Sequence, residues 1–206
     1  MVGTVTIDRV TVNSYGRFKD ELILDSLQRR MRAMHSLWEE AVATMDLDQV
    51  NHVEREPVLP IAFSLFHLVQ IEDGSATMLG AGPMVYDESW AERIGLTIAD
   101  HGKHKTVDEM VLQRIGNYDE FAEYMRRVFE KTESWLAALD PTSLSEVVVA
   151  RPFPPQIATT FSARVAGEQG ITRLDGAECW IYQHGLRHMG EIEHARALVG
   201  LQGMTS

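Results

Sequence analysis

With one cysteine, Cys179, in 206 residues, no disulfide can close within the chain, and the expected setting is a reducing one, the cytoplasm. Long apolar runs are missing as well. None approaches the ~18 residues that suggest a membrane span, and the opening MVGTVTIDRV has neither the basic start nor the apolar stretch of a secretory signal. Basic residues are also few: 19 lysines and arginines face 30 aspartates and glutamates, giving a net charge of −11. Such a field repels phosphate backbones and anionic bilayers. Nucleic acid and membrane are therefore not expected as partners, and a small-molecule substrate is. No internal repeat or low-complexity tract suggests an array. The chain, 1–206, is expected to form a single domain with one core, since 45% of it is hydrophobic.

What is present is helical periodicity in four segments. Leu24, Leu27, Met31, Met34, Trp38, Ala41 and Met45 recur at steps of three and four, the spacing of one helix face. After DLDQVNHVEREPV, Pro60 is expected in a first helical turn, with Phe63, His67, Ile71 and Met78 on a shared stripe and the helix weakening toward Gly74. In the third segment, Thr106 and Glu109 have the spacing of a capping box. They are read as the start of a helix whose seam is Val111, Ile115, Tyr118, Ala122, Met125, Phe129, Thr132, Leu136 and Leu139, ended by Pro141. The fourth is expected from about Asp175 to Val199, with Ile181, His184, His188, Ile192, Ala195 and Val199 on one stripe and Gly200 as its stop.

The fold class is thus all-α, a four-helix bundle. A connection from about Gly80 to Lys105, long enough for a crossover, lets helix three run parallel to helix two. Between Ser145 and Gly170, EVVVARPF and ATTFSARVAG are rich in β-branched residues and flank Pro-Pro, so a small β-hairpin is expected before helix four. TVTIDRVTV at the start alternates similarly and is read as a further strand.

His184 and His188 stand four apart on a periodic helix, so their side chains leave one face about a turn apart and can share one ion. Both lie on the apolar stripe, where a buried imidazole needs coordination or a hydrogen bond. His67 occupies the corresponding stripe of helix two, and closing the bundle brings a third imidazole inward. Three nitrogens leave a coordination position open for water or substrate, as in catalytic rather than structural zinc sites. A bound water or thiol then loses its proton near neutral pH. Imidazole suits several metals, with zinc or nickel expected.

PIAFSLFHLVQIED, ESWAERIGL, YMRRVFEKTESWLAALD and HGLRHMGEIEHARALVG together resemble the DinB/YfiT-like metal-binding four-helix bundles, over about Leu24 to Leu201. The resemblance implies an up-down-down-up arrangement, a homodimer, and one divalent ion held by His67, His184 and His188. It also implies, for some members, transfer of a low-molecular-weight thiol cosubstrate to an electrophile. The β-like insertion and the extended amino-terminal arm depart from the family pattern.

Other chemistries fit less well. A zinc protease needs a glutamate after the first helix-four histidine, where Gly185 stands. A di-iron bundle needs two Glu-x-x-His pairs, and Glu191 to His194 is the one found. Glu191 is the candidate catalytic base or ligand-orienting group. His101 and His104 are read as solvated, Glu72 and Asp73 as polar-face residues, and Cys179 as packing. The tryptophans are assigned to packing, with Trp90, on the crossover, as the exception. The leading expectation is a metal-dependent thiol transferase. The alternatives are a non-catalytic metal-binding or stress-response protein and a metal-dependent hydrolase.

Overall fold

Helix α1 (Arg9–Ala43) owes its length to a sequence free of proline in which, from Arg17 onward, only Ile23 and Val42 are β-branched. The computed structural model describes residues 9–204 apart from 56 and 103, and of residues 9–15 only the backbone. Residues 4–8 of the segment TVTIDRVTV therefore lie outside the described residues, while its remainder is the first turn of α1 rather than a strand. Leu24, Leu27, Met31, Met34, Trp38 and Ala41 are all buried, the seam that their spacing requires, and Met45 is buried just beyond the helix.

After the short α2 (Leu47–Asn51), α3 (Ile61–Met78) starts directly behind Pro60, which takes the N-cap position rather than the first turn. This helix continues through Gly74. It is buried on nearly every side, through Ala62, Leu65, Phe66, Leu68, Val69 and Ala76, so the expected stripe is only part of its contact surface. Met78, assigned to that stripe, is 62% exposed. Glu72 and Asp73, expected on a polar face, are 1% and 0% exposed. They are tolerated there because partners meet them: His35 faces Glu72, and Lys131 with two backbone amides holds Asp73.

The crossover carries α4 (Glu88–Ile94), which buries Trp90 against Tyr124, so Trp90 is a packing residue like the others. Thr106 and Glu109 do form a capping box, but for the one-turn α5 (Val107–Met110). The third long helix, α6 (Tyr118–Ala138), begins eleven residues later than that box implies, with Asn117 as its cap. Two loop anchors account for the break. Gln113 bonds both backbone groups of Ile98, and Asn51 bonds both backbone groups of Ile115, so this stretch satisfies its peptides without helix.

A 3-10 turn (Pro141–Ser145) leads to β1 (Val147–Ala150), which pairs antiparallel with β2 (Gly170–Thr172) in the register Val149 to Ile171 and Ala150 to Gly170. The two-stranded sheet was expected, but its second strand is not ATTFSARVAG. A short α7 (Pro155–Ala158) opens at the Pro-Pro pair, and the stretch itself winds into α8 (Phe161–Val165), capped by the Thr160 hydroxyl on the Ala163 amide. Gly170 starts β2 with φ +145°, and a Cβ there would stand 2.1 Å from the Val149 carbonyl oxygen.

The last long helix is composite. α9 (Arg173–Gly176), a π-helical segment (Ala177–Tyr182) and α10 (Gln183–Leu198) follow without interruption, because the junction residues keep right-handed helical backbone. Gly200, at φ +80°, lies just past its end.

Side-chain bonds fix the helix directions. Gln28 reaches the Leu136 carbonyl and Tyr118 reaches the Val42 carbonyl, so α1 and α6 are antiparallel. Arg30 meets Glu178 and Arg196 meets the Ala41 carbonyl, so α1 and the composite helix run together. Ser64 meets Glu191 and Arg173 meets the Leu79 carbonyl, which sets α3 against the composite helix. The four long helices therefore run up, down, down, up, around a core that includes Trp38, Phe66, Tyr124 and Phe129.

Candidate metal centre

α3 and α10 pack against each other and bring His67, His184 and His188 together. One ring nitrogen from each lies within 4.8 Å of the others, so the three can hold a metal ion. Ring centroids are 4.5 Å apart for His184 and His188, 5.1 Å for His67 and His188, and 5.4 Å for His67 and His184. His184 and His188 are 9% and 7% exposed and His67 is half-buried. Nε2 of His184 and Nε2 of His188 face one another at 3.1 Å.

The far side of two of these rings decides which nitrogen points inward. Nδ1 of His67 donates to the backbone carbonyl of His101 at 2.5 Å. A carbonyl only accepts, so Nδ1 carries the proton and Nε2 carries the lone pair. Nδ1 of His188 lies 2.6 Å from Oε2 of Glu191, whose carboxyl is held below the usual carboxylate range first by this bond, with Ser64 at 3.5 Å adding to it. An ionised Glu191 accepts, so Nδ1 of His188 donates to it and Nε2 faces inward toward His184. Such outer partners are what fix the ring orientation and tautomer of metal-binding histidines. Burial pushes the His67 imidazole down to about 4, against the opposing pull of the His101 carbonyl, so His67 is neutral at physiological pH and its lone pair is free to donate.

The His101 carbonyl is placed by its loop. Gly102 has φ +70° and lies so close to Phe63 that a Cβ would stand 2.6 Å from the Phe63 ring, while Phe63 itself stacks on His67 at 5.6 Å. One turn of α3 thus receives both the loop and the ligand. Tyr86 fastens the start of the same loop by donating to the Ala99 carbonyl.

Glu191, the candidate base, sits behind His188 rather than between the three rings. Of the two histidines read as solvated, His104 is exposed, whereas His101 lies closer to the centre than that reading implies, half-buried with its ring 6.3 Å from that of His67. Cys179 is buried, and burial pushes its thiol up to about 11, in keeping with a packing role.

A second polar centre was not anticipated. His35, 2% exposed, has Nε2 3.1 Å from Glu72 and Nδ1 2.7 Å from Glu133, and its ring stacks on Phe129 at 4.0 Å. Burial opposes its charge, but the Glu72 and Glu133 carboxylates outweigh burial and raise its pKa to about 9. The signal was available: His35 and Glu72 each stand beside seam residues of their helices, where solvent is absent.

Among the described residues no helix is long and apolar enough to cross a membrane. A search of curated proteins finds no match. The chain is similar in structure to a conserved protein from Enterococcus faecalis, with a TM-score of 0.67, 17% identity, and coverage of 85% of this chain and 95% of that one. The family model of the DinB superfamily matches residues 30–192, the span that holds all three histidines and all four long helices in whole or part. The chain belongs to the DinB superfamily.

Proposed function

We propose that this protein is a metal-dependent transferase in which His67, His184 and His188 hold one divalent ion and a low-molecular-weight thiol is delivered to a small electrophilic substrate. The observation that supports it most is the pair of outer hydrogen bonds, His67 to the His101 carbonyl and His188 to Glu191, which engage Nδ1 on two rings whose ligand atoms cluster with that of His184. Imidazole donors fit zinc or nickel, and three of them leave part of the coordination sphere open. When bound, the ion supplies Lewis acidity, which favours the ionised form of a thiol at neutral pH.

The protein's own groups have separate tasks. His67, His184 and His188 bind, and being neutral donors they leave the ion's charge uncancelled. The His101 carbonyl and Glu191 orient. Phe63, stacked on His67, shields one ligand from water. Glu191 is a positioning residue in this reading, because its Oε2 is engaged by His188, and this disfavours a hydrolase in which the same carboxylate draws a proton from water.

The first experiment measures metal in protein purified without chelator or affinity tag. Metal content falls sharply in His67→Ala and His188→Ala; equal content in wild type and variants would sink the site. The second follows conjugation of a panel of cellular thiols to a model electrophile, with and without the ion. A metal-dependent rate supports transfer, whereas bound metal with no rate for any thiol makes the protein a non-catalytic metal-binding member.

A further inference from the structure

We propose that Asp100, His101 and His104 form a second divalent-cation site, joined to the first by a single peptide group. One ligand atom from each of these residues lies within 4.8 Å of the others. The rings of His101 and His104 meet edge to face with centroids 6.0 Å apart, and Nε2 of His104 is 3.9 Å from Oδ2 of Asp100. Two imidazoles and a carboxylate are a donor set that zinc accepts with water completing the shell. The loop is already shaped for it: Oδ1 of Asp100 accepts from the Gly102 amide at 2.7 Å, leaving Oδ2 as the outward oxygen, and Gly102 is seated on Phe63. Lys105 stands 3.8 Å from that same Oδ2, so a cation entering here displaces an ammonium group. Because His104 is exposed and Lys105 competes, this site is the weaker of the two.

The link to the inner centre is His101. Its ring belongs to the loop site while its carbonyl accepts from His67. A cation on the ring restrains the residue that holds His67 in its ligating tautomer, so filling the loop site tightens the inner one, and the converse follows by linkage. The loop site itself stands without the inner site; only the coupling rests on the proposed three-histidine centre.

The test is a zinc titration of the metal-stripped full-length protein by equilibrium dialysis with metal analysis. Wild type takes up two ions per chain in a tighter and a weaker step. Asp100→Asn and His104→Ala lose the weaker step, keep their circular dichroism, and bind the remaining ion about fivefold or more weakly. His67→Ala/His188→Ala keeps the loop ion and loses the inner one. A wild type with a single step that His104→Ala leaves unchanged overturns the proposal, as does loss of the weaker step in His52→Ala, where a surface histidine lies 3.5 Å from Glu54. Loss of the weaker step in His104→Ala beside an unchanged inner affinity overturns the coupling. Should His104→Ala lose an ion while His67→Ala/His188→Ala binds as wild type does, the loop site stands and the three-histidine centre falls.

Discussion

Oε2 of Glu191 accepts a hydrogen bond from Nδ1 of His188 at 2.6 Å, three residues along the same helix, and Glu191 is half exposed while His188 is buried. The carboxylate reaches inward from the rim to set a ligand it cannot replace. Glu191→Ala is therefore expected to weaken metal binding by about 10- to 100-fold. Competition against a chelator of known affinity measures it. An unchanged affinity together with lost turnover would return Glu191 to the role of a base.

His35 predicts a dependence of stability on alkaline pH. Its folded pKa is about 9 against an ordinary value of 6.5, so folding binds a proton that the unfolded chain releases. The stabilisation is complete below about 6.5 and disappears as pH rises through about 9, a loss on the order of 3 kcal/mol. Urea midpoints at pH 6.5 and 10 should differ in wild type and draw together in His35→Gln. A wild-type midpoint that does not fall at the higher pH contradicts the buried imidazolium.

Lys131 closes a different network. Its ammonium meets Oδ1 of Asp73 at 2.7 Å and the Pro83 carbonyl at 2.9 Å, while Asp73 also accepts from the amides of Val85 and Tyr86. Lys131→Met leaves a buried carboxylate without its cation and should cost about 3–5 kcal/mol. Hydrogen exchange at the Val85 and Tyr86 amides is expected to quicken beyond what global destabilisation explains. Unaltered exchange there would detach the crossover from this pair.

The two caps of the third helical region should differ in weight. Asn117 starts a helix of 21 residues and Thr106 one of four. Asn117→Ala is expected to lower stability by about 1 kcal/mol and Thr106→Ala by less than half of that, because an isolated turn contributes little to the cooperative unit. Chemical denaturation of both variants decides it, and equal losses would restore the longer helix that the capping box suggests.

Where side chains alone carry the signal, the sequence is readable. The α1 seam from Leu24 to Ala41 and the convergence of His184 with His188 both follow from spacing on a helix, and the long crossover admitted the parallel course of α3 and α6. The break before Asn117 was hidden because Val111 and Ile115 are buried for another reason, packing beneath a loop, and so continue the helical period by coincidence. The second strand was misplaced since β-branched content does not separate ATTFSARVAG from a short helix capped by Thr160. Glu72 and Asp73 look like surface residues because carboxylates usually are, and only their partners His35 and Lys131, more than 30 residues distant in sequence, make their burial tolerable. The carbonyl that orients His67 has no residue type attached to it, so no pattern of letters reveals it.

The π-helical segment Ala177–Tyr182 bears on which changes of chain length the centre survives. A π turn absorbs an additional residue that an ordinary helix lacks. Removing one residue from within it lets the backbone wind as regular α-helix while Arg173 stays on the Leu79 carbonyl and His184 stays opposite His67. The same deletion between Leu68 and Glu72, where the winding is already regular, rotates every later residue of α3 by about 100° and carries Asp73 away from Lys131. The helix that bears two of the ligands thus contains its own slack, and the helix that bears the third contains none.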